Sequence, residues 1–363
     1  MKFRCEKDVL DRAFSIARRA TPSKNPQLPV LSGLYLLLKK NQLTVIGSDL
    51  DLTVRIQIKV NGEQDGEFVV PPLASEIVHS FDEGTVAVDI NDDEAQFSLD
   101  RSNFGIRTLP INDFPKFEEP GSDPVDLNIN DFMTALDQVV KAASNDEARQ
   151  ILTGVLLAAE KEGLRMVATD SYRMAVRDLP GTEVLGRDQT VLVPSRALEN
   201  VSRLLGSAEK FSIQLGERDA GFTVDDVKIV TRLIEGEFPN YRGLIPDSHP
   251  NRLLINKDNF LTVVQRVRLL ARDSTPIRVK MTQNNVEVFA ITQDIGEAHE
   301  EIEATYTGED LTVAFNPEYL LQGLEVSPGE DIFLDTTDAL KPVVIRGKET
   351  EEFLYMLMPV RVS

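Results

Sequence analysis

Two rhythms of apolar and polar residues run along this chain. Stretches such as 34–38, 43–46, 86–90, 164–169 and 286–290 alternate residue by residue, the period of a half-buried strand. Polar turns with Gly or Asn separate them, among them Lys40-Asn41, Lys161-Glu162-Gly163 and Gln283-Asn284-Asn285. Six other segments, 8–20, 73–81, 131–144, 195–205, 257–272 and 317–325, carry apolar residues at helical spacing and predict amphipathic helices.

The pattern then repeats. An apolar strand end, a proline and a helix follow one another in Phe68-Val69-Val70-Pro71-Pro72, in Val191-Leu192-Val193-Pro194-Ser195 and in Val313-Ala314-Phe315-Asn316-Pro317. The prolines at 71, 194 and 317 are evenly spaced, 123 residues apart, which is a domain repeat and far longer than a solenoid unit. Each third opens on an apolar strand that runs into a helix: Lys2-Phe3-Arg4-Cys5, Asp126-Leu127-Asn128-Ile129 and Leu253-Leu254-Ile255. The first two close on Phe-Pro turns at Phe114-Pro115 and Phe238-Pro239, the last on Met358-Pro359. Polar linkers containing Pro at 118–124 and 246–250 set the expected domains at 1–119, 125–246 and 250–363. At roughly 120 residues each, they are long enough to bury their own cores. The expected class is α+β, with two helices per domain packed on antiparallel sheets.

Charge sharpens this picture. The net charge is −20, which by itself argues against nucleic acid. The six helical segments nevertheless sum to +1, led by +3 over 257–272, so the strands and loops carry −21. Helices gathered on one face would make the molecule electrostatically two-sided. No apolar run reaches the ~20 residues of a membrane span, and Met1-Lys2-Phe3-Arg4 lacks a signal-peptide core, so a cytoplasmic location is expected. The single cysteine, Cys5, lies in an apolar strand and reads as a small buried hydrophobe.

A search for chemistry finds little. His79, His249 and His299 are scattered, and no Walker A, G-x-G-x-x-G or G-x-S-x-G pattern occurs. Alternation would put Asp49 and Asp51 on one face of a strand, without a third metal ligand, and Asn91-Asp92-Asp93-Glu94 reads as a solvated turn. The chain reads as a non-enzyme, with no metal or cofactor.

Several segments then carry a resemblance. These are Leu28-Pro29-Val30-Leu31-Ser32-Gly33, Leu109-Pro110-Ile111-Asn112-Asp113-Phe114-Pro115, Ala168-Thr169-Asp170-Ser171-Tyr172-Arg173-Met174-Ala175, Glu237-Phe238-Pro239-Asn240-Tyr241-Arg242, Phe315-Asn316-Pro317-Glu318-Tyr319 and Met358-Pro359-Val360-Arg361. In this order, on a threefold repeat, the whole chain resembles the bacterial β sliding clamps, the processivity subunits of DNA polymerase III.

The resemblance implies a homodimer closed head to tail into a six-domain ring around double-stranded DNA, bound without regard to sequence. Helices would line the inner wall, with Lys24, Arg196, Arg203 and Arg19 facing DNA. It implies a pocket for short peptides of the polymerase α subunit, the clamp loader, repair polymerases and mismatch-repair proteins. Carried over residue by residue, the pocket takes Leu152, Thr169, Ser171, Tyr172, Arg173 and Met174 from the second domain and Leu244 and Pro246 from the connector. The third domain adds Asn316, Tyr319, Leu340, Pro342, Met356, Met358, Pro359 and Val360. Methionines and aliphatic walls would receive apolar side chains, and Arg173 would orient the peptide. Ser171, Tyr172 and Met174 stand where relatives often have Gly, His and Leu. The ring joint would set Arg101, Phe104, Ile106 and Arg107 against Leu269, Leu270, Glu297, Glu300, Glu301 and Glu303, an apolar centre ringed by opposite charges. Two rivals are a monomeric peptide-binding adaptor of the same fold and a carboxylate-metal hydrolase using Asp49, Asp51 or other carboxylates.

Overall fold

A computed structural model describes residues 1–22, 28–115, 117, 119–246, 248–271, 275–283, 285–293 and 295–361. The chain forms two compact units, Met1–Ile129 with Arg196–Leu233, and Asn130–Ser195 with Ile234–Ser363. Each of them draws on more than one third of the sequence.

In the first unit, alternation does what its period dictates. Leu34, Leu36 and Leu38 face the core from Leu34–Lys39, as do Leu52, Val54, Ile56 and Ile58 from Leu52–Lys59. Helix α1 (Lys7–Arg18) buries Leu10, Ala13, Phe14 and Ala17 along one stripe. It lies on the strands Gln42–Ser48 and Leu52–Lys59 and beside α2 (Leu73–Ser80). The approach is close at Gly47, where a Cβ would sit 2.0 Å from the carbonyl oxygen of Ala17. Cys5 is buried in its strand, and burial pushes its thiol up to about 11.

Two antiparallel sheets complete this unit. One has five strands in the order Asn61–Gln64, Lys2–Glu6, Thr85–Ile90, Glu94–Leu99 and Ser102–Arg107. The other has eight, and it joins first-third to second-third strands where Leu52–Lys59 pairs with Val227–Arg232, Thr53 opposite Val230.

The second unit repeats the plan. Its nine-stranded sheet joins the second third to the last where Arg173–Pro180 pairs with Phe353–Leu357, Met174 opposite Met356. A four-stranded sheet runs Gly296–Ile302, Asn285–Thr292, Ile277–Thr282, Leu311–Phe315. Helices α3 (Ile129–Val139), α4 (Ser195–Leu205), α5 (Lys257–Val267) and α6 (Pro317–Val326) follow in chain order, α4 contributing Arg196 onward to the first unit. Helix α6 packs α5 and the strand Phe353–Leu357, and Gly323 leaves room for the Tyr355 ring, which a Cβ would approach to 2.5 Å.

Three helices are shorter than their apolar spacing predicts. Helix α1 ends at Arg18, α3 gives way to a 3₁₀ turn at Val140–Ala142, and α5 stops at Val267. After Val267 the N–H groups of Leu269, Leu270 and Ala271 bond three residues back, so the apolar pattern continues on a tighter turn. Asp49 and Asp51 also depart from expectation. They lie in the hairpin turn between Gln42–Ser48 and Leu52–Lys59, where Asp49 Oδ1 accepts the N–H of Asp51 and Leu52. Asn91 caps its own turn in the same way, accepting from Asp93 and Glu94. Among the described residues, no helix is long and apolar enough to cross a membrane.

Candidate functional site

The strands Gly163–Thr169 and Arg173–Pro180 meet in a tight turn, Asp170-Ser171-Tyr172. Asp170 Oδ1 accepts the N–H of Tyr172 (2.9 Å) and Arg173 (3.0 Å). Thr169 Oγ1 accepts from Ser171 N–H (3.2 Å) and donates to the Arg173 carbonyl (2.7 Å). Ser171 sits at φ +80°, the left-handed region that favours glycine. The turn throws Tyr172 into solvent, 58% exposed. Alongside it, Met358 N–H donates to the Tyr172 carbonyl (2.8 Å), and Val360 N–H to that of Ala314 (2.8 Å). Pro342 lies one step beyond the Val343–Leu357 pair, which sets it next to Met358. Tyr172, Met358 and Pro342 therefore share one edge. Leu152, Pro246, Pro359 and Val360 are half-buried, while Leu244 and Leu340 are exposed. Ile151 and Ile245, beside Leu152 and Pro246, pack on the same apolar cluster as Met356.

Several side chains expected to meet a ligand have other work. Arg173 is only 8% exposed. Its guanidinium donates to Asp170 Oδ2 (3.1 Å), Gln322 Oε1 and the Lys141 carbonyl, and its Cζ lies 4.3 Å from the Tyr319 ring centroid. It positions the turn and α6. Thr169 is buried in the same network. Met174 and Met356 face one another across strands inside the cluster with Val167, Tyr241 and Val344, so of the three expected methionines Met358 is the one at the surface. The Asn316 carboxamide oxygen accepts the N–H groups of Glu318 and Tyr319, capping α6. Asp170, Gln322 and Arg149, whose Nη1 reaches the Asp170 carbonyl (3.2 Å) and Ser171 Oγ (3.4 Å), also build the site, though the carried-over pocket residues do not include them. The aspartate two residues before Tyr172 was a legible turn signal; the partners from distant helices left no local trace.

The cationic candidates converge in part. Arg196 bonds the Asp49 carboxylate and donates to the Arg19 carbonyl (3.2 Å). Arg19 lies near Arg203, and burial first, then that like charge, lowers its pKa. Arg203 reaches Glu199 at 3.9 Å. Arg12, Arg18, Arg266 and Arg268 are likewise paired, with Asp226, Glu76, Glu300 and Glu318. The helices are less basic than the sequence tally implies, because neighbouring acids hold most of their guanidinium groups among the described residues. Lys24 lies outside the described residues. Among the described residues, no group of three or more His, Cys, Asp and Glu is placed to hold a metal ion.

Three family models match the chain in order: the N-terminal domain of the DNA polymerase III β subunit over residues 1–118, its central domain over 126–240 and its C-terminal domain over 242–361. A β sliding clamp of Streptomyces coelicolor is 31% identical over the full length of both proteins. The chain belongs to the β sliding clamp family. The crystal structure of the Bacillus subtilis clamp superimposes with a TM-score of 0.93 at 27% identity, covering 100% of each chain. That of the Pseudomonas aeruginosa clamp bound to griselimycin gives 0.91 at 25%, also over all of each chain. The family is that of processivity subunits without catalytic activity.

Two sheet edges of the clamp carry the expected joint residues. Ser102–Arg107 ends the five-stranded sheet, with Arg101, Phe104 and Arg107 exposed and Ile106 half-buried. Phe104 leans on Phe81, ring centroids 5.6 Å apart. Gly296–Ile302 ends the four-stranded sheet and exposes Glu297 and Glu301, with Glu303 just beyond. Leu269 is 70% exposed, and Leu270 is half-buried. Glu300 differs from the other glutamates: it chelates Arg266 within its own chain, which lowers its pKa.

His299 shares that edge, stacked on Phe289 at 5.3 Å. Its bond to Glu287 (2.8 Å), helped by Glu297, raises its pKa above the ordinary 6.5, while the same bond lowers that of Glu287. A raised histidine pKa adds stability that is full below 6.5 and is lost as pH rises through the folded value. The melting temperature of the His299→Gln clamp should therefore trail the parent most in mildly acidic buffer, with the gap closing in alkaline buffer. A constant gap from pH ~6 to ~9 would contradict this linkage.

Proposed function

We propose that two copies of this chain close into a ring around duplex DNA and tether polymerase III and its replication and repair partners. The full-length match to three clamp domains in order carries this reading. The proposed subunit is three clamp domains, 1–119, 125–246 and 250–363, with the Ser102–Arg107 edge of one copy meeting the Gly296–Ile302 edge of the other. Two unpaired antiparallel edges of opposite charge favour that pairing, with Phe104 and Leu269 at its centre. A topological link requires only weak phosphate contacts, consistent with helical arginines held by neighbouring acids. Loaded on a nicked circular plasmid, the clamp should remain bound at high salt and run off once the plasmid is linearised. Equal loss from both forms would sink the ring.

Partner peptides would dock along Tyr172, Met358, Pro342 and the half-buried Leu152. Leu152→Ala with Met358→Ala should weaken a clamp-binding peptide by about tenfold or more, since each truncation removes an apolar anchor of ~1–3 kcal/mol, while the dimer survives. Titration calorimetry with an unchanged affinity would refute this assignment.

A further inference from the structure

The Asp170–Tyr172 turn has a counterpart in the other unit. Asp49 Oδ1 accepts the N–H of Asp51 (3.1 Å) and Leu52 (2.8 Å), as Asp170 does for Tyr172 and Arg173. Ser48 Oγ accepts from Leu50 (3.2 Å), as Thr169 does from Ser171. Leu50 takes φ +83° where Ser171 takes +80°. The adjacent strand matches as well: Arg232 N–H donates to the Asp51 carbonyl at 2.9 Å, the place of Met358 N–H on Tyr172. Asp51 thus occupies the position of Tyr172, Arg232 that of Met358, and Asp219, opposite Arg232, that of Pro342.

This turn borders a cavity of roughly 180 Å³, walled by Leu50, Phe114, Pro115 and Phe117 and rimmed by Asp51, Asp219 and Arg232. We propose that it is a second peptide-docking site, which takes a short segment pairing one aromatic or aliphatic side chain with basic neighbours. The volume suits a single anchoring side chain, being smaller than the ~300 Å³ at which small-molecule sites begin. Leu50 and the two phenylalanines supply the apolar wall. The rim chooses the charge. Among the described residues that line the cavity, Asp51 and Asp219 outnumber Arg232, whose ion pair with Asp51 is loose at 4.0 Å and exposed on both sides. Arg55, over the Phe117 ring, is paired with Glu119. On a chain of net charge −20, a basic segment is steered in and an acidic one repelled. The repeat has kept the turn and exchanged apolar Tyr172, Met358 and Pro342 for charged residues, so the two sites would select different peptides. The inference rests on the peptide-pocket reading only through this comparison.

The test titrates fluorescein-labelled Gly-Lys-Phe-Lys-Gly into the full-length protein and follows anisotropy. Binding should weaken by about tenfold or more in Asp51→Lys/Asp219→Lys, a loss of ~1.4 kcal/mol or more. Leu50→Gly, which suits the positive φ and removes the apolar wall, should weaken it several-fold. Met358→Ala should leave it unchanged, and Gly-Glu-Phe-Glu-Gly and Gly-Lys-Gly-Lys-Gly should bind far less. Thermal melts of the variants check that the fold is kept. No binding, equal binding of the peptide lacking Phe, indifference to the groove variants, or loss in Met358→Ala would each overturn the proposal. Failure of the Tyr172–Met358 pocket shows separately, as unchanged partner-peptide affinity in the Leu152→Ala/Met358→Ala protein.

Discussion

Arg173→Ala is expected to destabilise the protein by about 3–5 kcal/mol, the usual cost of removing one partner from a buried ion pair. Arg173 and Asp170 side chains are each 9% exposed, so Asp170 would keep its carboxylate out of water with its cation gone. Gln322 and the Lys141 carbonyl would lose their donor, and the Tyr319 ring its stacked charge. In urea unfolding, the transition with the lowest midpoint should move down with little change in slope. Arg173→Lys should recover only part of the loss, because one ammonium cannot serve three acceptors that point in different directions. A change within ~0.5 kcal/mol for the alanine variant would mean that water already screens the network.

The second large effect is expected at the edge strand. Phe104→Asp should raise the dimer dissociation constant by about a hundredfold or more, equivalent to ~2.7 kcal/mol. Phe104 is 42% exposed and held against Phe81, so an aspartate there is solvated in a free subunit and stranded in a closed joint. Monomer stability should fall only modestly, by the lost contact of Phe104 with Phe81, since the new charge sits in water. Phe104→Tyr, which keeps the ring, should preserve the dimer. Sedimentation at micromolar protein reads the result. An unaltered dimer in the Phe104→Asp variant would place the joint elsewhere.

The pocket illustrates how far local sequence reaches. Thr169 to Met174 stands out as one motif, and Asp170 within it foretells a turn. Its residues still divide between surface and core: Tyr172 and Met358 face out, while Met174 and Met356 vanish beneath them. Alternation puts residues two apart on one face, so it would group Tyr172 with Met174 and Met358 with Met356. They part because Tyr172 and Met358 lie just beyond the strands Arg173–Pro180 and Phe353–Leu357, while Met174 and Met356 lie within them, under the cluster that packs there. Arg173 is the sharpest case. As sequence it is an arginine in a ligand motif; its partners Lys141 and Gln322 lie 32 and 149 residues away. The helical cations teach the same lesson, since Asp226 is 214 residues from Arg12 and no local window contains both.

By itself the sequence determined the repeat, the six helices, the alternating strands and the family, because periodicity, prolines and turn residues act over short range. Tertiary structure decided how the thirds join. Leu52–Lys59 continues into Val227–Arg232, and Arg173–Pro180 into Phe353–Leu357, so the compact units cut across the repeat. An unpaired strand edge leaves N–H and C=O groups without partners, and which edges find one another is a matter of register in space. The same packing set Met358 and Pro342 beside the Tyr172 turn, and Arg232 and Asp219 beside the Asp51 turn.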